Sequence, residues 1–225
     1  RKDRRGVVPR RDLDERLQDD LHAGREVAVA QAGKEDIPVK YLLSHQSGLA
    51  GIDEQIPVEA LYDWERVVDL LAAQKPLWAP GTQCGYHALT QGYLVGELIR
   101  RITNRTVGTF LREEVATPLQ ADCHIGLAQE HDSRVAEMIP PRMWQPGDPR
   151  YVSSGSLPEM TQKAMYPLID QDNPVAVSRS RAWRAAEIPS GNGYGNAHSV
   201  ARMASVLACG EVDDTRLLTL PTIEK

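Results

Sequence analysis

Serine, histidine and tyrosine side chains gather in two short stretches of this 225-residue chain, Ser44-His45-Gln46-Ser47-Gly48 and Tyr86-His87. A hydroxyl attacks a carbonyl only when a nearby base takes its proton, which is the work such residues do together. The individual residues support that chemistry unevenly. His45 reads as a structural histidine bonded to a neighbouring backbone group. His87, next to Tyr86, reads either as the wall of a substrate cleft or as a surface residue. Cys84 and His87 are three apart, as in a thiol dyad or half a metal site, but no orienting third group or paired ligand spacing follows them, so no metal is expected. Ser190-Gly191-Asn192-Gly193-Tyr194-Gly195 is too glycine-rich for a plain helix. It either edges a site through Ser190 and Asn192 or forms a flexible loop, and it lacks the Gly-Lys-Ser/Thr ending of a phosphate loop.

Helices must position these groups. Leu13, Leu17 and Leu21 recur at four-residue spacing and predict a short helix from Asp12 to about Gly24. A second begins at Ile37, with Pro38 tolerated in its first turn, and stops at Ser47-Gly48. Leu61, Trp64, Val67, Val68, Leu70 and Leu71 keep a helical period between Pro57 and Gln74. Pro80-Gly81-Thr82 is a turn that presents Tyr86 from a rigid loop, and a helix follows from about Ala88 to Ile102 with Asn104 as C-cap. Thr106 caps a further helix through Val115. From Pro140 to Pro189 frequent prolines predict long ordered loops with short helical turns, and a last helix runs from His198 to Gly210. The triplets His22-Ala23-Gly24 and His124-Ile125-Gly126 read as turns.

Tyr41-Leu42-Leu43-Ser44-His45-Gln46-Ser47-Gly48-Leu49 resembles the Leu-Leu-Ser-His-x-Ser-Gly-Leu signature of the β-lactamase-related serine hydrolases, which include class C β-lactamases, penicillin-binding proteins and esterases. Pro80-Gly81 with Tyr86-His87-Ala88 resembles that family's Pro-Gly-x-x-x-x-Tyr-x-Asn segment, with Ala88 standing where many members have Asn. Pro118-Leu119 to Gly126 and Asn196 to Arg202 resemble later blocks. The resemblance spans about residues 31 to 225, and the order of its blocks makes it more specific than any one of them.

The resemblance implies the helical region of a β-lactamase/transpeptidase-like α/β fold, mainly α with few short strands, with most of the antiparallel sheet missing. It makes Tyr86 the position of the catalytic base and Ser44, His45, Ser47, Gly48, Pro80 and Gly81 structural motif residues. The family nucleophile is the Ser of a Ser-x-x-Lys helix turn, whose three-residue step places both side chains on one face. No serine of this chain has Lys three residues later. The family's late Lys-Thr-Gly or His-x-Gly strand would fall beyond Lys225. A phenol titrates near ~10, so a tyrosine base at neutral pH needs a cation such as that lysine beside it. The expectation is a fragment truncated at both ends, inactive as it stands, descended from a hydrolase of esters, β-lactams or peptide amides that needs no cofactor. A non-catalytic ligand- or protein-binding relative is the alternative.

Residues 1 to 29 depart from the family, because Arg1-Lys2-Asp3-Arg4-Arg5 and Arg10-Arg11 cannot be buried unpaired. They form a basic segment before a partial hydrolase domain at 30 to 225. A truncated gene, a shifted reading frame upstream of about Ala30 and a diverged relative all fit. The formal charge of −5 gives no broad basic field, which argues against nucleic acid. No apolar run reaches the roughly eighteen residues that span a bilayer. Three cysteines without paired spacing suit a reducing compartment such as the cytoplasm, although the compartment itself is not legible. An apolar face left without its sheet would favour self-association.

Overall fold

In the computed structural model, residues 32–139, 157–168 and 174–219 are described. The helix expected at 12–24 lies outside them. The first described helix, α1, spans Val39–Leu43, and Pro38 precedes it in extended conformation at φ −62°. It is shorter than expected because Ser44 already leaves helical geometry and its hydroxyl turns back to the Lys40 carbonyl at 2.6 Å.

The single helix expected between Pro57 and Gln74 is two elements. A 3-10 turn covers Val58–Tyr62, and α2 spans Trp64–Ala73. Asp63 separates them: its backbone is extended (φ −98°, ψ 98°) and its carboxylate accepts the Arg66 N–H at 3.2 Å. That is an N-cap, and a cap resets the helix although the apolar period runs on through it. At the other end of α2 the buried Lys34 ammonium donates to the Ala72 carbonyl at 2.8 Å and to the Gln74 carbonyl, satisfying acceptors that a helix terminus leaves open.

Helix α3, Thr90–Thr103, follows the expected course and ends at Asn104, whose left-handed φ of 53° lets its N–H reach the Arg100 carbonyl. Helices α2 and α3 pack through Val67, Leu71, Leu89, Tyr93 and Leu94, which share one core with Leu42, Leu49, Leu61, Trp183 and Ile188. On the far side of α3, Glu97 is 1% exposed and accepts from the Trp64 indole, Arg100 and Arg101. Burial opposes its ionisation, yet the hydrogen bonds from Arg100, Trp64 and Arg101 prevail and hold its pKa below the usual carboxylate value.

Thr106 caps α4, Val107–Phe110, as expected, and the same helical course continues as a π-helix over Leu111–Ala116. Short helices α5 (Glu159–Met165), α6 (Pro174–Arg179) and α7 (Arg181–Ala185) then precede α8, Ala197–Cys209, which Asn196 caps and Gly210 closes at φ +81°. The strand content among the described residues is one antiparallel ribbon: β1, Cys123–Ile125, pairs with β2, Gly193–Gly195, with His124 opposite Tyr194. The turn expected at His124-Ile125-Gly126 is therefore a strand that turns only at Gly126, φ +73°. Its partner lies about seventy residues away, a pairing that local sequence does not display.

Candidate active-site wall

Two backbone segments, 44–49 and 81–90, build the feature around Tyr86. Gly48 adopts φ +79°, and a Cβ there would stand 2.6 Å from the Trp78 carbonyl oxygen, so only glycine permits the chain to pass. Gly81, at φ +84°, packs on the Tyr41 ring, and its N–H donates to the Gln46 carbonyl at 2.9 Å. These two glycines hold the segments side by side, with Pro80 entering the second turn.

Hydrogen bonds tie the two segments together in both directions. The Leu49 N–H donates to the Ser47 hydroxyl (3.3 Å), which lies 2.8 Å from His87 Nε2, and His87 Nδ1 lies 2.5 Å from the Gly85 carbonyl oxygen. Because a carbonyl only accepts, Nδ1 carries the proton and Nε2 accepts the Ser47 hydrogen. The His87 N–H donates to His45 Nδ1 at 3.2 Å, the Gly85 N–H to the His45 carbonyl at 3.1 Å, and the Thr90 hydroxyl to the Leu49 carbonyl at 2.6 Å. Burial lowers the His87 pKa to about 4, against which the Gly85 bond works, and the nearby His45 lowers it further.

Tyr86 projects outward from this frame. Its side chain is 69% exposed, with its ring 5.0 Å from that of His45. His87, expected at a cleft wall or on the surface, is instead in the interior at 1% exposure, where Trp78 meets it edge-on. Ser47 is fully enclosed at 0%. A Ser–His hydrogen bond of the kind that activates nucleophiles is therefore present but closed to any substrate. Cys84 and His87 do not pair, since the exposed thiol donates to the Ser44 carbonyl at 3.6 Å. Among the described residues no three His, Cys, Asp or Glu side chains group as metal ligands.

Of the other cleft residues expected from the sequence, Ser190 is exposed and lies against α3, where a Cβ on Gly92 would meet its backbone N at 2.6 Å. Asn192 is buried, and its amide serves the backbone: it accepts the Ile188 N–H at 3.0 Å and donates to the carbonyls of Trp183 and Ala186. The stretch reads as a loop in sequence, yet these three bonds and the β2 pairing order it.

A separate cleft of about 520 Å³ lies against the ribbon, lined by Asp122, His124, His131, Arg134, Arg184 and Tyr194 among others. No residue of 44–49 or 81–90 lines it. Asp122 is held to a pKa of about 2 by hydrogen bonds from Arg134 and His124. The Ser190–Gly195 stretch singled out in the sequence supplies one wall of this cleft through Gly191 to Gly195, Asn192 among them, whereas its meeting with the segment from Asp122 to Arg134, about seventy residues away, is not legible in the sequence.

The left-handed Gly48 turn and the outward Tyr86, with the His45 ring against it, are the features that the comparisons with known proteins can be set beside. The family model described as Beta-lactamase matches residues 8–224, and the chain belongs to that family. It is 31% identical over 190 residues to Esterase/beta-lactamase LipL of Mycobacterium tuberculosis (strain ATCC 25618 / H37Rv), an overlap of 83% of this chain and 44% of LipL. Its structure is similar to that of a family VIII carboxylesterase, with TM-score 0.76, 35% identity and coverage of 95% of this chain and 56% of that one. A penicillin-binding protein homolog from Caulobacter crescentus superposes with TM-score 0.75 at 35% identity, covering 94% and 56%. The chain thus spans less than half the length of the curated relative and little more than half of these solved ones.

Proposed function

We propose that this chain carries the tyrosine-bearing wall of an acyl-serine hydrolase site acting on a small ester, β-lactam or peptide amide, and that the chain alone does not turn over substrate. The observation that supports it is Tyr86, an exposed phenol on a loop pinned on both sides. In the step envisaged, a seryl hydroxyl from outside these residues adds to the carbonyl as the Tyr86 phenolate takes its proton, and the tetrahedral adduct then expels the alcohol or amine, which takes that proton from Tyr86 and leaves an acyl-serine for water to hydrolyse; neither metal nor cofactor is required. The nucleophile is not drawn from these residues: no serine precedes a lysine by three positions, and Ser47 is sealed. Residues 30 to 225 are read as the helical region, with most of the sheet lying outside it. The exposed Val200 and Leu207, seven residues apart on one side of α8, support an uncovered apolar stripe through which the chain self-associates.

A fluorophosphonate or penicillin probe tests this. The 225-residue chain alone is expected to take no seryl label. Co-expressed with the remaining part of the family VIII carboxylesterase it matches, the assembly should label, and Tyr86→Phe should slow labelling by about 10²–10⁴-fold. Stoichiometric labelling of the chain alone, or indifference to Tyr86→Phe, would overturn the reading. The second reading, a non-catalytic binding relative, draws on the cleft at the ribbon and predicts saturable ligand binding there without any label.

A further inference from the structure

We infer that Ser47 and His87 form a buried positioning pair that fixes the direction in which Tyr86 presents its phenol. The inference rests on reading Tyr86 as the proton-accepting position. Neither residue of the pair meets a substrate, since they are 0% and 1% exposed. They act through the backbone.

Tyr86 has its two chain neighbours tied separately. Gly85 is held at both ends, its N–H by the His45 carbonyl at 3.1 Å and its carbonyl by His87 Nδ1 at 2.5 Å. His87 is held by its N–H on His45 Nδ1 at 3.2 Å and by its ring on Ser47 at 2.8 Å. The peptide unit after Tyr86 is therefore bonded directly to His45, the one before it is bonded to the His87 ring and through it to Ser47, and Trp78 packs on Gly85, a Cβ there meeting the indole at 2.6 Å. Against the exposed Tyr86 ring itself stands the His45 ring, 5.0 Å away. A side chain so free of packing keeps one orientation only if its backbone is fixed, and rotating about the 85–87 peptides would break the clamp.

Polarity makes Ser47 more than filler. The Gly85 carbonyl only accepts, so His87 Nδ1 carries the proton and its bare Nε2 takes the Ser47 hydroxyl hydrogen, while the Leu49 N–H donates to the same Ser47 oxygen and holds it in place. With alanine at 47, Nε2 loses its donor and the imidazole is no longer tied through its ring to the 45–49 segment. The Gly85 carbonyl then stays bonded to a ring that is held only within its own loop.

Tyrosine-specific NMR of the full 225-residue chain, without substrate, reads this directly. In Ser47→Ala the Tyr86 ring resonances are expected to move by more than a linewidth and broaden, while the other six tyrosines keep theirs and the melting curve stays cooperative. His87→Asn, whose amide nitrogen substitutes for Nδ1 but not Nε2, should keep the Gly85 bond and move Tyr86 less. Unchanged Tyr86 signals in a folded Ser47→Ala chain would overturn the inference. Should that variant fail to fold, imidazole 15N shifts of the unmodified chain decide: a protonated Nδ1 and bare Nε2 on His87 support the pair, and the opposite tautomer sinks it. An oriented Tyr86 that proves dispensable in the labelling assay would refute the base reading alone, whereas a disordered ring in the unmodified chain would refute the positioning pair alone.

Discussion

The shelf that carries Tyr86 and the cleft at the β1–β2 ribbon are both polar, but they are polar in opposite ways. On the shelf, the polar side chains Ser47, His87 and Thr90 are buried at 0–1% exposure and neutral, and each is satisfied by the backbone or by another of them. The group left to the solvent is the one with chemical potential, Tyr86. At the ribbon the charged groups stand in the open: Asp122 is 42% exposed and Arg134 53%, and they pair directly at 2.8 Å. Burial makes a hydrogen bond costly to lose, and exposure makes an ion pair cheap. The shelf is accordingly suited to hold one atom in place, and the ribbon cleft to adapt to what enters it.

That contrast can be broken by mutation. The largest effect is expected on the helix that backs the shelf: Glu97→Ala leaves the Trp64 indole and the inward faces of Arg100 and Arg101 without their buried acceptor and should cost about 3–5 kcal/mol in denaturant unfolding. Acid comes next. His87 titrates near 6.5 in the unfolded chain and about 4 in the folded one, so below pH 6.5 the unfolded state takes up a proton that the folded state refuses. Stability from this group is complete above 6.5, declines as pH falls towards 4, and levels there, a loss of about 3 kcal/mol. A pH series of unfolding midpoints checks it, and His87→Asn should flatten that part of the curve.

Gly48→Ala tests the turn between the segments. Its Cβ would meet the Trp78 carbonyl at 2.6 Å in a left-handed backbone, so a loss of about 1–3 kcal/mol in thermal melts is expected. The ribbon should prove the weaker partner. Asp122→Ala removes an exposed carboxylate whose bonds to Arg134 and His124 are screened by water, and its unfolding free energy should change by about 1 kcal/mol or less. A larger loss there than at Gly48 would reverse the comparison.

The sequence by itself determined the elements whose causes are local. Thr106, Asn104 and Gly210 mark helix ends through a cap and left-handed residues, and the order of the Ser44–Gly48 and Pro80–Tyr86 blocks placed the chain in its family. Asp63 shows the limit: the apolar period ran straight through it, and only the extended backbone and its bond to Arg66 show the break. Tertiary structure alone decided that Ser47 and His87, forty residues apart, are one buried unit, that the Asn192 amide is bonded to backbone at the edge of the ribbon cleft, and that His124 lies in a strand. Burial and long-range pairing arise from where distant segments meet, and a hydroxyl or imidazole in a sequence carries no mark of which side of the surface it will occupy.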